Sequence, residues 1–450
     1  MQNSNLLDFS DLLLAIPFFL LIILISYLIK EKYINRYSEY KYFVPGIIIK
    51  ILGVICFCLI YVFYYGGGDT INYFLGTKAV GNLLLQDINK GIVMLFNTNS
   101  PFNSLESFNS GTGYPLYYMW KDPNTFIVSR LSAPLYILGL KSFLTTSFLT
   151  ACFSYFGIWK LYRLFNILYP GNQKVFAYLI LFLPTLIFWG GGIMKDSFVL
   201  GATCWISYNF YKVLIERKKI FWNSIFLILN VLLIINIKPY VIISLLPGML
   251  LWLNSAYLKN LGSIISKILV FPILLFAIIG MGFFLFNNLS SLMGVYGDVD
   301  TAIQQAQVIQ EDLLREDQYG GNNYKIGSFD GSFGSLLGVA PLAIFTALYR
   351  PLFWEIGSPT MAFSVLENTI LIFFSIFTLV RVSPLKLIKI LWYQPFLLYC
   401  FIFSIFFAFG VGIAGTNFGA LVRYKLPLMP FYFTMIYIIY QLSKARSDSA

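Results

Sequence analysis

Long apolar runs recur along almost the whole chain and are separated by short polar stretches rich in lysine and arginine. A helix that crosses the hydrocarbon core of a membrane needs roughly 20 apolar residues. The chain contains about eleven segments of that length and character. The pattern therefore predicts an all-α polytopic membrane protein, in which a single transmembrane domain covers residues 1–450.

The expected spans have the approximate limits 11–29, 44–65, 142–159, 175–189, 196–211, 221–237, 240–254, 268–286, 360–380, 395–413 and 426–442. Three further stretches do not fit the alternation of crossings, namely 71–96, 124–140 and 333–355. Arg130 and Pro134 interrupt the second of them. We therefore expect re-entrant or interfacial helices at these three stretches, on the outer face of the membrane.

Lysine and arginine gather in alternate short loops, which is the charge pattern of cytoplasmic loops. The densest basic loop, at 212–219, follows the span at 196–211. With this loop inside, the N-terminus lies outside, the C-terminus is cytoplasmic, and the long segments 66–130 and 287–357 face outward. The acidic second segment includes a stretch at 299–317 that has the pattern of a soluble helix.

Composition agrees with this class, because 58% of the residues are hydrophobic and only 11% are charged, whereas soluble domains are about a quarter charged. The cytoplasmic loops explain the net charge of +11. No basic run reaches the length of a nucleic-acid patch, so we expect no nucleic-acid partner.

Asp8 and Asp11 precede the first apolar run without a basic segment before them. We therefore expect a retained first span and no signal peptide.

Missing residue types limit the chemistry. The chain has no histidine, which excludes Ser-His-Asp catalysis, histidine general bases and histidine-bound zinc or haem. Its five cysteines fall in apolar segments, and we interpret them as small core residues without a disulfide or metal role. Chemistry must therefore come from carboxylates, lysine, arginine, tyrosine and backbone groups.

Two triple-glycine stretches interrupt the apolar pattern, and the predicted topology puts both at the outer face. Gly66–Gly68 precede Asp69, and Gly190–Gly192 precede Lys195 and Asp196. Glycine allows sharp turns and the close approach of a ligand, and the free N–H groups at the start of a helix form an anion site. Lys195 would add a full charge there. Alternatively, the glycines end a span, Lys195 reaches the interface and Asp196 caps the next helix.

Asp69 is the carboxylate that we expect to be catalytic, with Asp196 as a second candidate. Without histidine, a carboxylate is the natural general base for an acceptor hydroxyl. Asp69 could also hold a divalent cation such as Mg²⁺ or Mn²⁺, which would suit a diphosphate leaving group. The structural alternative is that Asp69 only caps the next helix.

Several further cations lie at span ends on the outer side, where lysine and arginine should be scarce. A phosphate ligand would explain them, because arginine binds phosphate through two donors and lysine through a point charge. The candidate phosphate- or substrate-binding residues are Lys195, Lys238, Arg350, Glu355, Arg423, Lys425, Tyr73 and Trp354.

These candidates also have structural alternatives. Lys238 could anchor a helix end at the interface. Arg350 could form a self-contained salt bridge with Glu355 and a cation–π contact with Trp354. The aromatic residues, Tyr73 among them, could belong to an interfacial belt.

Five short motifs resemble bacterial membrane proteins of cell-surface polysaccharide assembly, namely O-antigen polymerases of the Wzy type and GT-C-type glycosyltransferases. The motifs are Gly67-Gly68-Asp69-Thr70-Ile71-Asn72-Tyr73, Gly192-Ile193-Met194-Lys195-Asp196, Lys238-Pro239-Tyr240, Arg350-Pro351-Leu352-Phe353-Trp354-Glu355 and Arg423-Tyr424-Lys425-Leu426-Pro427. The GT-C resemblance implies a polyprenyl-phosphate sugar donor and an acidic residue in the first large outer loop. Asp69 lies in the matching loop, although after the second span. The polymerase resemblance implies arginines that engage a lipid diphosphate, roles that Arg350 and Arg423 could take.

The resemblance thus implies a glycosyltransferase or polysaccharide polymerase at the outer face of the bacterial plasma membrane. Its expected partners are a polyprenyl-(di)phosphate-linked saccharide and membrane lipid. One alternative is a transporter or flippase of lipid-linked saccharide, which would hold polar groups at the bilayer midplane. Lys141 and Glu367 favour that alternative. Another is a non-catalytic envelope-assembly protein that docks partner proteins through the acidic loop at 287–332.

Reporter fusions test the predicted orientation. Green fluorescent protein fused after residue 218 should fluoresce and alkaline phosphatase fused there should be inactive, because that loop is expected to be cytoplasmic. Fusions after residue 110 should show the opposite pattern. The orientation is wrong if the two sites give the same pattern, or if the patterns are exchanged.

Overall fold

A computed structural model of the chain describes residues 6–96, 105–258, 299–315, 322–324, 326 and 333–445. These residues form an all-α polytopic membrane protein, which confirms the fold class expected from the sequence. Among them, seven helices are long and apolar enough to cross a membrane, or up to nine if each of two bent helix pairs is one span. The count of eleven spans stays a prediction. The expected span at 268–286 and most of the acidic loop at 287–332 lie outside the described residues.

The helices are numbered here in chain order. They are α1 (Phe9–Ile34), α2 (Phe43–Leu59), α3 (Asp69–Gln86), α4 (Ile88–Phe96), α5 (Tyr117–Lys121), α6 (Pro123–Leu138), α7 (Phe143–Leu168), α8 (Gln173–Phe176), α9 (Pro184–Trp189), α10 (Lys195–Phe210), α11 (Ile220–Ile237), α12 (Tyr240–Leu258), α13 (Val299–Leu313), α14 (Phe333–Tyr349), α15 (Ala362–Arg381), α16 (Pro384–Tyr393), α17 (Pro395–Ala414), α18 (Phe418–Tyr424) and α19 (Met429–Ala445). The chain divides into two compact units, Met1–Tyr208 and Asn209–Ala450.

In the first unit, small residues let helix backbones approach one another. Gly46 on α2 lies against the ring of Tyr155 on α7, whose hydroxyl donates a 2.5 Å hydrogen bond to the Phe43 carbonyl. The helices α7 and α10 come closer still, since a β-carbon on Gly157 would lie 2.2 Å from the Gly201 carbonyl oxygen. Close packing of this kind is a principal force between membrane helices, where lipid removes most of the hydrophobic drive.

The two triple-glycine stretches meet different requirements. Gly66 and Gly68 have φ angles of 65° and 115°, which residues with a β-carbon rarely adopt. Gly190–Gly192 have ordinary φ angles but lie against one face of α2. A β-carbon on Gly192 would come within 2.0 Å of the Phe57 ring. The first stretch therefore makes a turn, and the second admits a neighbouring helix.

The segment expected to form a span at 175–189 is broken in the structure. The helix α8 continues as a π-helical turn over Ala177–Leu181, and the chain then breaks at Phe182 and Leu183 before α9 begins at Pro184. Proline has no N–H, and its ring keeps the preceding residue out of the helical region. Leu183 accordingly has the extended angles φ −65° and ψ 119°.

The stretches at 71–96 and 124–140 form helices that belong to the body of the first unit. The first becomes α3 and α4, and the second becomes α6. The α6 helix is followed by α7 at a bend of 112°, which is the geometry of a broken span or a re-entrant loop. Leu140 and Lys141 make the bend with φ angles of 53° and 67°. The bend is compatible with the re-entrant or interfacial helix expected at 124–140, but α6 runs unbroken through Arg130 and Pro134. The α3 helix is buried by its packing against α6.

In the second unit, α17 packs against α12, α14 and α19. Gly412 on α17 lies against the Ala343 backbone of α14, and Gly248 on α12 lies against Tyr399 of α17. The helix α16 was not expected from the sequence pattern, which assigns its lysines to a cytoplasmic loop. Lys386 of α16 donates a 2.6 Å hydrogen bond to the Ser443 carbonyl near the end of α19.

Replacing Gly192 with alanine should destabilise the protein by about 1–3 kcal/mol, because the added methyl group forces Phe57 or α2 to move. The matched control is Gly410→Ala on α17, where a built β-carbon meets nothing within 4 Å. That control should be neutral or stabilising by up to about 1 kcal/mol. Thermal unfolding of both purified variants in detergent measures the difference, and equal midpoints would contradict the packing role of Gly192.

Candidate functional site

The helices α3 and α6 lie side by side and run in the same direction. Near their starts, the Ser129 hydroxyl donates a 3.1 Å hydrogen bond to the Tyr73 carbonyl. Further along, the Tyr136 hydroxyl donates a 3.3 Å hydrogen bond to the Asn82 side-chain oxygen. From the first contact to the second, the residue numbers increase along both helices. The two helices are therefore parallel and begin at the same end of the first unit.

Several polar side chains lie at that shared end, and we call Asp69, Tyr118, Asp122, Thr125 and Lys195 the carboxylate–lysine cluster. The Lys195 ammonium lies 2.7 Å from the Thr125 hydroxyl and 3.5 Å from the Asp122 carboxylate. Asp122 also caps α6 by accepting a 2.9 Å hydrogen bond from a backbone N–H of the first turn. Lys195, the first residue of α10, thereby joins the start of α10 to the start of α6.

Asp69 enters this cluster beside Tyr118. Burial, reinforced by the negative charge of Asp69, raises the pKa of Tyr118 to about 12, while Asn72 hydrogen-bonds its side chain. The tyrosine hydroxyl is therefore protonated at neutral pH and can donate a hydrogen bond. Asp69 and Asp122 are both half-buried, and the Asp122 side chain is 46% exposed, so a ligand can reach both carboxylates.

Two other candidate site residues predicted from the sequence are buried within the first unit. Asp196 is buried in the first turn of α10, next to Ser197, whose hydroxyl donates a 2.7 Å hydrogen bond to the Gly192 carbonyl. Tyr73 is buried on α3. This burial favours a structural role for Asp196 in the first turn of α10, and packing for Tyr73, over direct contact with a substrate.

A metal at Asp69 gains no support from its surroundings. Within the described ranges of the chain, no group of three or more His, Cys, Asp or Glu side chains could hold a metal ion. Hard divalent cations take six or more oxygen ligands, and the cluster offers two carboxylates beside a competing ammonium. The cluster therefore suits proton transfer and hydrogen bonding better than tight metal binding.

In the second unit, the turn from Arg350 to Glu355 holds a salt bridge. Arg350 Nε lies 2.9 Å from Oε1 and 3.2 Å from Oε2 of Glu355. The guanidinium also lies 4.9 Å and 5.0 Å from the ring centroids of Tyr324 and Phe418. The salt bridge expected from the sequence is thus present, but its aromatic partners are Tyr324 and Phe418, whereas Trp354 is 67% exposed.

Lys425 lies fully buried behind this turn. Its ammonium donates to the Arg350 carbonyl at 2.9 Å and to the Asn368 side-chain oxygen at 2.7 Å. Asn368 in turn donates a 3.0 Å hydrogen bond to the Pro351 carbonyl. These contacts favour a structural role for Lys425 over the substrate-binding role expected from the sequence.

Two sequence motifs meet elsewhere in the second unit. The Lys238 ammonium lies 4.2 Å from the ring centroid of Tyr424, the residue after Arg423. Lys238 is buried at the end of α11, and Arg423 is half-buried near the end of α18. The aromatic ring covers the lysine, so Arg423 is the more accessible cation of this pair.

A cavity of about 470 Å³ opens beside the Arg350 turn, and we call it the Arg350 cavity. Its lining residues are Asn322, Asn323, Tyr324, Arg350, Trp354, Glu355, Ile356, Gly357 and Phe418. The segments 322–324 and 416–418 hold one wall together through hydrogen bonds of 2.8 Å from the Tyr324 N–H to the Thr416 carbonyl and 3.0 Å from the Phe418 N–H to the Asn322 carbonyl. Burial raises the pKa of the Tyr324 hydroxyl, so this ring is neutral.

Sequence reasoning missed two side chains that carry visible signals. Lys50 is the one charge in the apolar run 43–64, and it is buried with its ammonium 2.5 Å from the Leu186 carbonyl of α9. Asp122 followed by Pro123 is an N-cap residue before a proline at the first helical position, which is a helix-start signal.

Comparison with known proteins adds no assignment to this geometry. No protein-family model, curated protein or solved structure matches the chain. The resemblance to O-antigen polymerases and GT-C-type glycosyltransferases therefore stays a prediction that rests on the five motifs. What the chain does must be argued from its own residues.

The Arg350–Glu355 pair should be energetically coupled. Its side chains are 19% and 13% exposed, so Arg350→Met or Glu355→Gln alone should cost about 1.5–3 kcal/mol by leaving one desolvated group without its partner. The double variant should cost less than the sum.

The matched control for this cycle is the surface pair Arg315–Asp312, with side chains 63% and 41% exposed. Its coupling should be about 0–0.5 kcal/mol. Denaturant unfolding in detergent measures both cycles. Additive effects at both pairs would show that the Arg350 turn is not held by its salt bridge.

Proposed function

We propose that the protein is a membrane-embedded enzyme that transfers a sugar from a lipid-linked phosphate carrier, with the carboxylate–lysine cluster as its site. One observation supports this proposal most strongly: Lys195 pairs with the carboxylate of Asp122 at the starts of α10 and α6, and Asp69 lies beside Tyr118 at the same end of the first unit. A carboxylate next to a cation, at helix ends rich in free N–H groups, suits proton transfer beside a phosphate. The proposed site faces outward from the plasma membrane of a bacterium.

The proposed reaction is a displacement at the anomeric carbon of the donor sugar. The oxygen of an acceptor hydroxyl forms the new bond to that carbon, and the bond from the carbon to the phosphate oxygen breaks. The phosphate leaves with the electron pair, and the hydroxyl proton passes to Asp69. Lys195 stabilises the charge on the leaving phosphate, and Tyr118 can donate a hydrogen bond to the sugar or the phosphate.

The contacts of Lys195 suit this role. Its ammonium is 2.7 Å from Thr125 but 3.5 Å from Asp122. The longer, weaker contact is the one that a phosphate oxygen would replace, while the bond to Thr125 keeps the ammonium in position. Release of Asp122 would then give the site a second carboxylate for proton transfer.

A lipid carrier is favoured because the cluster lies at the ends of apolar helices. A carrier of this kind keeps its chain in the bilayer and its phosphate at the surface, so the substrate needs no soluble pocket. The described helices leave much apolar surface for such a chain, α1 above all, since only 11% of its most apolar window is buried. We expect the lipid-linked saccharide and membrane lipid to be the partners.

Asp69→Asn should lower glycan transfer about a hundredfold or more, because a positioned general base contributes about 10²–10⁴ in rate. Lys195→Met should also reduce transfer by removing the charge that faces the leaving phosphate. Both variants are compared with wild type in the native host at matched membrane levels. Surface glycan is read by gel and the lipid-linked saccharide by mass spectrometry. Loss of glycan with accumulation of the lipid-linked unit is the expected result.

The matched control is Asp87→Asn at the opposite end of α3, where Asp87 pairs with Lys90 at 3.7 Å on the surface. This control should make normal glycan. If both cluster variants also make normal glycan, the proposed catalytic roles of Asp69 and Lys195 are wrong. A third variant, Asp122→Asn, shows which of the two carboxylates accepts the proton.

A transporter of lipid-linked saccharide is the second candidate, because the first unit contains a broken helix with a buried charge. Lys50 lies in the middle of the apolar segment Ser38–Tyr64 and bonds to α9 just after the break at Phe182 and Leu183. Interrupted helices with polar groups at mid-depth are typical of transporters. Lys141 no longer favours this candidate, since it lies exposed in the turn before α7.

Transport would be supported if Asp69→Asn cells make normal glycan while Lys50→Met cells retain the lipid-linked saccharide on the inner side of the membrane.

A further inference from the structure

The Arg350 cavity has the size and composition of a small-molecule site. Its volume of about 470 Å³ falls within the range of roughly 300–1,000 Å³ for ligand pockets. Aromatic rings line it together with amide, carboxylate and guanidinium groups. Such a lining, in which fixed polar groups predominate beside aromatic rings, can orient a ligand that carries many hydroxyl groups.

The wall of this cavity is held in one arrangement before any ligand binds. Lys425 and Asn368 fix the carbonyls of Arg350 and Pro351 from behind. Glu355 accepts a 2.8 Å hydrogen bond from the Leu352 N–H and so closes the turn. A binding group supported by such a surrounding network loses little conformational entropy when the ligand arrives.

The charges of the cavity cancel. Arg350 and Glu355 supply one positive and one negative group, and they already form a salt bridge with each other. A phosphate would have to compete with Glu355 for the guanidinium. A neutral ligand with many hydroxyl groups would not, because the free lone pairs of the carboxylate and the remaining N–H groups of the guanidinium still offer hydrogen bonds.

The aromatic residues of the cavity provide an apolar surface on which a ligand can pack. Tyr324 and Phe418 have ring centroids 4.6 Å apart and are covered by the Arg350 guanidinium. Trp354 is left 67% exposed at the edge. The C–H face of a sugar ring is flat and apolar enough to cover an indole, while its edge carries hydroxyl groups. Gly357 leaves room for Asn322, whose side-chain oxygen would lie 1.7 Å from a β-carbon at that position.

We propose that the Arg350 cavity binds an uncharged pyranose unit of the lipid-linked saccharide, with Trp354 over the apolar face of the sugar and the Arg350–Glu355 pair hydrogen-bonded to its hydroxyls. This inference rests on the proposed function and changes the role of Arg350 from a phosphate ligand to a sugar ligand. It also separates recognition of the glycan from the reacting groups of the carboxylate–lysine cluster.

The experiment measures saccharide binding to the full chain in lipid nanodiscs by calorimetry and saturation-transfer NMR. The probe is the neutral oligosaccharide released by mild acid from the lipid-linked saccharide of the host membranes. Trp354→Ala should weaken binding about tenfold, because an aromatic contact is removed. Glu355→Gln should also weaken it while keeping the size of the side chain.

The matched control is Trp392→Ala, the same substitution at a tryptophan on α16 that is 65% exposed and not part of the cavity lining. It should bind the saccharide as wild type does. The inference is overturned if wild type does not bind the oligosaccharide, or if Trp354→Ala binds it with wild-type affinity. It is also overturned if inorganic pyrophosphate displaces the oligosaccharide, because the cavity would then prefer an anion.

Failure of this inference can be told apart from failure of the proposed function. Binding is measured without turnover, so it does not depend on Asp69 or Lys195. Saccharide binding that needs Trp354, combined with normal glycan in Asp69→Asn cells, would retain the sugar site and reject the proposed catalytic residues. Loss of glycan in Asp69→Asn cells, combined with unchanged binding by Trp354→Ala, would reject only the sugar site.

Discussion

A backbone carbonyl that loses its helical partner inside an apolar protein must find another donor, and buried lysines supply that donor in both units. Lys50 donates to the Leu186 carbonyl in the short helix α9, and Lys425 donates to the Arg350 carbonyl after α14. A proline lies close to each interruption, at Pro184 and Pro351. An ammonium group carries three protons and accepts none, so it is well suited to positions where carbonyl oxygens outnumber N–H groups.

This requirement changes how the charges of a membrane protein should be interpreted. A lysine within an apolar chain is a natural candidate for ligand binding. The Lys425 ammonium instead donates its hydrogen bonds to the Arg350 carbonyl and to the Asn368 side-chain oxygen. Lys195 differs because its partners are side chains, one of them exposed. The distinction between a cation that holds the fold and one that meets a substrate therefore depends on the partner and the burial, and residue type alone does not decide it.

The sequence predicted the elements that depend on local pattern. The apolar runs predicted most of the long helices within a few residues, and the helix start at Asp69 follows from the glycines before it. The sequence also contained the signals for the break at Pro184 and for the cap at Asp122, which were overlooked because the surrounding residues are apolar. The fold class agrees with the structure for the same reason.

The sites could not be predicted in the same way, because they combine distant segments. The Arg350 cavity needs 322–324 and Phe418 beside the turn at Arg350, and nothing in the local pattern of any one segment indicates the others. The direction of α3 relative to α6 is likewise a tertiary property. It determines that Asp69 and Lys195 share a cluster with Asp122, a residue that did not stand out in the sequence.

The parallel direction of α3 and α6 has an electrostatic consequence. Each helix carries a macrodipole with about half a positive charge at its N-terminus, so parallel neighbours bring like partial charges together. Asp69 and Asp122 stand at these two ends and offset that repulsion. The carboxylates therefore stabilise the helix pair even without a ligand. Replacing both with asparagine would weaken the pairing and remove the proton acceptor in the same step, so the integrity of the site and its chemistry depend on the same two charges.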